Sequence, residues 1–208
     1  MLSSPPAPRG WSSRGYLPHF DGGPLPQAVT YRLAYTLPPE VVTRMRDSLS
    51  LLPSGRRAAK LRRAIEDQLD RSRTGWLANP VIAAQVQENL LYFDGGRYRL
   101  HAWVVMPNHV HVLISPSPRV GMARIVHGWK TYTARRANQT LGRAGRFWQP
   151  DYFDRYVRNP RHFRAVVQYI EANPVRVGLC RQTEDWPWSS AALRAAAGNK
   201  ERETPGRR

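Results

Sequence analysis

Short alternating runs of apolar and β-branched residues are separated along this chain by stretches of helical periodicity. Gln27 to Leu37 (QAVTYRLAYTL) is rich in β-branched and aromatic residues and stops at Pro38-Pro39, which predicts a first strand. Glu40 to Leu52 places Val41, Val42, Met45 and Leu49 at helical spacing, and Ser54-Gly55 break it. Arg56 to Asp70 predicts a second, strongly charged helix. Asn79-Pro80 open a third, with Asn79 as cap and Pro80 in the first turn; it runs to about Phe93, and Asp94-Gly95-Gly96 end it. Tyr98 to Met106 predicts a second strand, Pro107-Asn108 a tight turn, and His109 to Ser115 a third strand. A helix over Ala123 to Leu141, a fourth strand over Asp151 to Arg158, and a last helix from Asn159-Pro160 to about Asn173-Pro174 complete the reading.

That order predicts an α+β fold: an antiparallel four- to five-stranded sheet of the split βαβ type, ferredoxin- or RRM-like, with helices on one face. The expected organisation is a single domain over 14–194 with a helical insertion at 38–93. A flexible tail at 1–13 precedes it and a flexible basic tail at 195–208 follows.

Charge changes the picture. The formal net charge is +17 in 208 residues, far beyond what solubility needs, and such a surface attracts polyanions. Lysine occurs only at Lys60, Lys130 and Lys200, so arginine, which forks phosphates and stacks on bases, supplies nearly all the cations. The single cysteine, Cys180, can form no internal disulfide, which points to a reducing cytosol. No apolar run approaches the roughly 20 residues of a membrane span, and Met1 to Gly10 reads as no signal peptide.

The chemistry centres on His109-Val110-His111. A strand has a side-chain period of two, so both imidazoles face one side and can share a divalent cation. Two ligands make an incomplete site; a third oxygen or nitrogen is needed. In the last helix Phe163, Val166, Val167 and Ile170 form an apolar stripe, and Tyr169 lies off it with His162 and Asn173 on its flank. That edge, laid over the histidines, would bring a phenol and an amide oxygen to one cation. The same spacing also fits a boundary tyrosine and sheet-packed histidines, and both readings stand at this point. His19, His101, His127 and His162 are further nitrogen donors.

Trp103 to Ile114 (WVVMPNHVHVLI) resembles the HUH strand hairpin of bacterial single-tyrosine transposases. Phe147-Trp148-Gln149, Asp151 to Arg155 (DYFDR), Tyr169 to Val175 (YIEANPV), Trp186 to Ser190 (WPWSS) and Arg14 to Phe20 (RGYLPHF) are similar to the REP-associated tyrosine transposase branch. The resemblance covers roughly residues 14 to 194. It implies Mg²⁺ or Mn²⁺ held by His109, His111 and Asn173, with Asn173 standing where many insertion-sequence relatives carry glutamine. It implies attack of Tyr169 on a DNA phosphate, giving a 5′-phosphotyrosine and a free 3′-OH, with no nucleotide cofactor. The implied substrate is single-stranded DNA with REP-type palindromic hairpins, and the implied place is the cytoplasm, associated with the nucleoid. Lys130, Arg135, Arg136, Arg143, Arg146, Trp148, Arg155 and Arg158 are the residues available to track phosphates and stack on bases. Monomer and dimer are both open, and no membrane is involved.

Two rival readings remain on sequence grounds. One is a catalytically inactive DNA-binding protein on the same fold. The other is a zinc-stabilised RNA-binding domain, since the sheet topology is shared with RNA-recognition modules. Against the second, the first and third strands carry no aromatic RNA-binding motif.

Overall fold

The computed structural model describes residues 10–13 and 18–203. Its elements are β1 (Gly10–Ser13), β2 (Pro18–Asp21), β3 (Gln27–Arg32), α1 (Pro39–Ser48), α2 (Ser54–Arg71), α3 (Pro80–Tyr92), β4 (Tyr98–Val105), β5 (His109–Pro116), α4 (Met122–Thr140), β6 (Phe153–Tyr156), α5 (Pro160–Arg176) and α6 (Ser190–Glu203). Short 3₁₀ turns sit at Trp76–Ala78 and Thr183–Asp185. None of the described helices is long and apolar enough to cross a membrane.

Four strands form one sheet in the order β4-β5-β3-β6, every neighbouring pair antiparallel. This is the split βαβ arrangement expected from the order of elements, and the histidine strand β5 lies inside it. Thr30 and Val104 flank His111 on the two neighbouring strands.

The pleat sorts β5 into two faces. Val110, Val112 and Ile114 point to one side, where Ile82, Val86 and Leu90 of α3 and Ile125, Val126 and Trp129 of α4 close the main core. His109, His111 and Leu113 point to the other. There α5 packs through Phe163, Val166, Val167 and Ile170 against Ala102, Val104 and Leu113. Beside it α2 sets Leu61, Ile65 and Leu69 on Leu37 and Phe153. Helices therefore cover both faces, where the sequence reading expected one. The cause is in β4: Ala102 to Val105 is a continuous apolar run, buried on both sides as a strand with two covered faces must be.

Boundaries shift at several points. β3 stops at Arg32 because the chain turns at Tyr35, which has φ 64°. β6 is four residues long. The tyrosine helix continues through Pro174 to Arg176. Proline so near a helix end removes only one ladder bond, and Val177 N–H to Asn173 O and Leu179 N–H to Pro174 O close the end.

Regular structure also enters the segments expected as tails. Gly10 to Ser13 pair with Pro18 to Asp21, and α6 runs to Glu203. The β1–β2 hairpin is pinned on β6: His19 Nδ1 lies 2.6 Å from Asp154 Oδ1 and Nε2 2.8 Å from Asp151 Oδ1. Burial alone would lower the His19 pKa, but the hydrogen bonds and charges of the two carboxylates outweigh it and raise it to about 9. Of the Arg14 to Phe20 motif, residues 14–17 lie outside the described residues. At the other edge, Trp186 Nε1 donates to Val105 O and Val105 N–H to Trp188 O, so the WPWSS segment covers β4.

The turn into the histidine strand is held by backbone. Leu77 N–H donates to Pro107 O at 3.1 Å, and Asn108 Nδ2 donates to the carbonyls of Leu69 and Ser72. Gly75 leaves room for this contact: a Cβ there would stand 2.2 Å from the Pro107 carbonyl oxygen. Gly75→Ala is expected to destabilise the fold by about 1–3 kcal/mol, as backbone overpacking does, read from the urea midpoint. An unchanged midpoint would mean that the 74–79 loop moves aside freely.

Candidate active site

Four elements converge on the histidine face. β5 supplies His109 and His111, β3 supplies Thr30, α2 supplies Glu66 and Asp70, and α5 supplies Tyr169, Asn173 and Arg176. The two imidazoles are fully buried, and their Nε2 atoms lie 2.9 Å apart.

The hydrogen bonds around them define the ring protons. Asn108 donates its Nδ2 to two carbonyls, so its Oδ1 must accept from His109 Nδ1 at 2.6 Å. Thr30 Oγ1 lies 2.7 Å from His111 Nδ1 and 3.5 Å from Glu66 Oε1, so the ring donates to the hydroxyl and the hydroxyl to the carboxylate. Both Nδ1 atoms thus carry hydrogen, and both Nε2 atoms present bare lone pairs to each other. Burial lowers the pKa of both rings, His111 to about 3, and Arg176 adds to the effect, so proton uptake does not relieve the contact.

Two more buried groups, one on α2 and one on α5, leave polar atoms unpaired. Asp70 Oδ1 lies 3.4 Å from His109 Nε2 and accepts no hydrogen bond. Asn173, fully buried, has neither side-chain atom paired. Orphaned buried polar atoms carry a free-energy penalty and call for an explanation. A divalent cation supplies one: Asp70, His109 and His111 can each turn one ligand atom to a common point. Two nitrogens sharing an ion at about 2.1 Å are separated by about 3.0 Å at a right angle and about 3.4 Å at the tetrahedral angle. The observed 2.9 Å matches the right angle. The donor set, two imidazoles with a carboxylate oxygen, is compatible with a divalent metal ion.

Tyr169 stands over this group. Its ring centroid is 5.6 Å from that of His111, nearly edge-on, and the residue is 37% exposed. Positions 169, 173 and 176 share one stripe of α5. Burial raises the Tyr169 pKa to about 12, helped by Glu66 and Asp70 and opposed by Arg176. Burial also raises Glu66 to about 7 and Asp70 to about 6.

Tyr169 borders a cleft of about 600 Å³ lined also by Thr30, Glu66, His111, Arg155 and Arg176 among others, with Lys60, Arg62 and Arg63 of α2 along it. Its lining sets the cations Lys60, Arg62, Arg63, Arg155 and Arg176 beside the carboxylates Glu66, Asp67 and Asp154, over an apolar base from β3 and α5. The arrangement can hold a cation, receive an anionic backbone and present a phenol to it.

The residues expected to meet DNA are dispersed. Arg155 lines the cleft; Arg158 is exposed just beyond it. Arg135 and Arg136 lie in the groove between α3 and α4, across the sheet from the histidines. Arg143 stacks on Trp76 at 4.1 Å and bonds Asn138, while Arg146 is exposed. Two expectations need correction. Lys130 Nζ donates to the carbonyls of Gln149, Pro150 and Asp151, so its three donors hold a loop rather than a phosphate. Burial lowers its pKa to about 8. Trp148 is 5% exposed, packs on Tyr31 and donates Nε1 to Thr133, so its ring belongs to the core and not to a base stack.

Sequence reasoning missed Glu66, Asp70, Arg176 and the basic edge of α2. A signal was present: Arg62, Glu66 and Asp70 form a polar stripe at a spacing of four, directly beside the apolar stripe Leu61, Ile65 and Leu69.

Residues 79–173 match the family described as transposase IS200 like. The chain is 30% identical over 101 residues, 49% of its length, to the REP-associated tyrosine transposase of Escherichia coli (strain K12), and that match spans 59% of the relative. In fold it is similar to the solved structure of a REP-associated tyrosine transposase bound to a REP hairpin, with TM-score 0.53, 18% identity, and coverage of 90% of this chain and 86% of that one. The segment that matches the IS200-like transposase family contains both histidines, the tyrosine and Asn173, and the fold carries them on one face of the sheet; in sequence the chain is similar to IS200-like transposases and to the REP-associated tyrosine transposase of Escherichia coli, whose length it spans to less than two thirds.

Proposed function

We propose that this protein is a cation-dependent single-strand DNA transesterase that nicks and rejoins REP-type hairpin DNA through Tyr169. One observation carries the reading: a partly exposed phenol stands against two buried imidazoles whose Nε2 lone pairs face each other. Structural histidines find hydrogen-bond partners; these leave their ligand atoms bare. The name of the Escherichia coli relative and the hairpin bound in the related structure support the choice of substrate. A cytoplasmic, nucleoid-associated protein follows from that substrate.

His109, His111, Asp70 and Asn173 would hold Mg²⁺ or Mn²⁺, which when bound polarises a phosphoryl oxygen and offsets developing charge. The oxygen donors of Asp70 and Asn173 beside the imidazoles suit these ions, and the phenol of Tyr169 against His111 favours this reading over a zinc-stabilised RNA-binding domain. The chain's own groups do the rest. Tyr169 Oη attacks phosphorus, a Tyr–O–P bond forms, and the P–O3′ bond breaks. One phosphodiester replaces another, so rejoining by the 3′-OH needs no nucleotide cofactor. At a pKa of about 12 the phenol is protonated at neutral pH and must lose its proton during attack. Glu66 lines the same cleft and titrates near pH 7, which suits it to take that proton.

The test is incubation with end-labelled single-stranded hairpins and Mn²⁺. The expected product is a denaturation-resistant protein–DNA adduct with release of a 3′-OH strand. Hairpin binding with no adduct under any divalent cation would leave the inactive DNA-binding reading. In Glu66→Gln the rate is expected to fall about 10²- to 10⁴-fold. The rise of rate with pH through about 7 should disappear with it, because the carboxylate form accepts the proton. A surviving limb at that pH would assign the base elsewhere.

A further inference from the structure

We infer that Arg176 binds the scissile phosphate, holding a non-bridging oxygen beside Tyr169 Oη; this rests on the transesterase reading above. Arg176 occupies the last turn of α5, on the same stripe as Tyr169 and Asn173. Its Nη2 donates to Asp70 Oδ2 and approaches Tyr169 Oη at 3.5 Å, and its guanidinium lies 5.0 Å from the centroid of the tyrosine ring. Asp70 thus anchors one corner of a planar fork. Both described hydrogen bonds of this side chain run through Nη2, while a guanidinium carries five N–H donors in fixed directions.

The rest of the fork faces the cleft. The Arg176 side chain is 43% exposed although its partner Asp70 is 6% exposed, and Arg176 lines the cleft together with His111 and Tyr169. A guanidinium matches the geometry of phosphate oxygens and keeps its charge at any working pH. An anion placed within reach of both Tyr169 Oη and the histidine pair would meet this fork. None of the other cleft-lining cations is described in contact with the tyrosine. Lys60, Arg62 and Arg63 stand on α2 and Arg155 on β6, positions suited to the flanking strand.

Charge removal from the substrate tests this directly. Adduct formation is measured for the full chain with Mn²⁺ on two hairpins, one with a normal phosphodiester and one with a neutral methylphosphonate at the scissile linkage. On the diester, Arg176→Ala should lose about 10²- to 10³-fold, as when a donor to a developing oxyanion is removed. On the methylphosphonate, wild type and Arg176→Ala should react within about threefold of each other, since the charge that needed neutralising is gone. Equal losses on both substrates would overturn the inference and make Arg176 a support for Asp70 alone. Equal rates of both proteins on the diester would overturn it as well. Should Arg176→Ala fail to fold by circular dichroism, Arg176→Gln is measured in its place. Glutamine keeps an N–H donor for Asp70 but removes the charge, so a diester-selective loss decides the question in the same way. Wild type forming no adduct on the diester would refute the transesterase reading itself, a separate outcome.

Discussion

Tyr169→Phe is expected to abolish the covalent protein–DNA product, by at least about 10⁴-fold, the scale on which an enzyme loses rate when its nucleophile is removed. Hairpin binding should stay within about twofold. Only a hydroxyl is lost, and its one described contact is the 3.5 Å approach of Arg176. Ring packing against His111 is retained, and the cations lining the cleft are untouched. Binding is read by gel retardation, and adduct by denaturing electrophoresis of end-labelled hairpin. A denaturation-resistant adduct from Tyr169→Phe would assign the nucleophile to another residue.

The second large effect is expected at the histidines. His109→Ala and His111→Ala should each weaken Mn²⁺ binding at least about 100-fold and remove cleavage, since each deletes an imidazole aimed at the shared point. Titration calorimetry or the spin resonance of free Mn²⁺ reports this without any DNA. Asn108→Ala removes no ligand, yet it releases the His109 ring from its tautomer, and a loss of about 10- to 100-fold in affinity is expected. Asn173→Ala should raise the Mn²⁺ midpoint by less, because water can take the place of one neutral oxygen. Wild-type Mn²⁺ affinity in both histidine variants would remove the cation from the account. An unchanged midpoint in Asn173→Ala alone, with normal folding, would leave Asn173 as a helix-packing residue.

Much of this architecture was legible before any coordinates. Alternation placed His109 and His111 on one face, and proline, glycine and asparagine punctuation marked the elements well enough to yield the sheet order. Tyr169 was visible because it departs from the apolar stripe of its helix. What stayed hidden depends on tertiary distance. Asp70 and Glu66 sit on a strongly charged helix, where any carboxylate looks solvated. Only the docking of α2 on the histidine face, through Leu61, Ile65 and Leu69, turns that stripe inward. Arg176 was hidden by a boundary: ending the helix at Pro174 detached it from the stripe it extends. Lys130 and Trp148 misled for the opposite reason. Basic and aromatic residues beside a predicted loop fit nucleic acid, but here the same chemistry closes the loop onto the core.

The convergence of distant segments on one point also orders events during synthesis. Asp70 meets Arg176 across 106 residues of chain, and Thr30 meets His111 across 81. As the ribosome releases the chain, β3, α2, β4 and β5 emerge well before α5. Thr30, Asp70, His109 and His111 are therefore all synthesised before Tyr169. Long-range contacts of this kind slow folding; on the proposed function the delay is protective. A chain truncated before Tyr169 would then carry the candidate cation ligands of the sheet and α2 but nothing to bond to DNA. Reactivity toward DNA would arrive only when α5 closes over the histidine face.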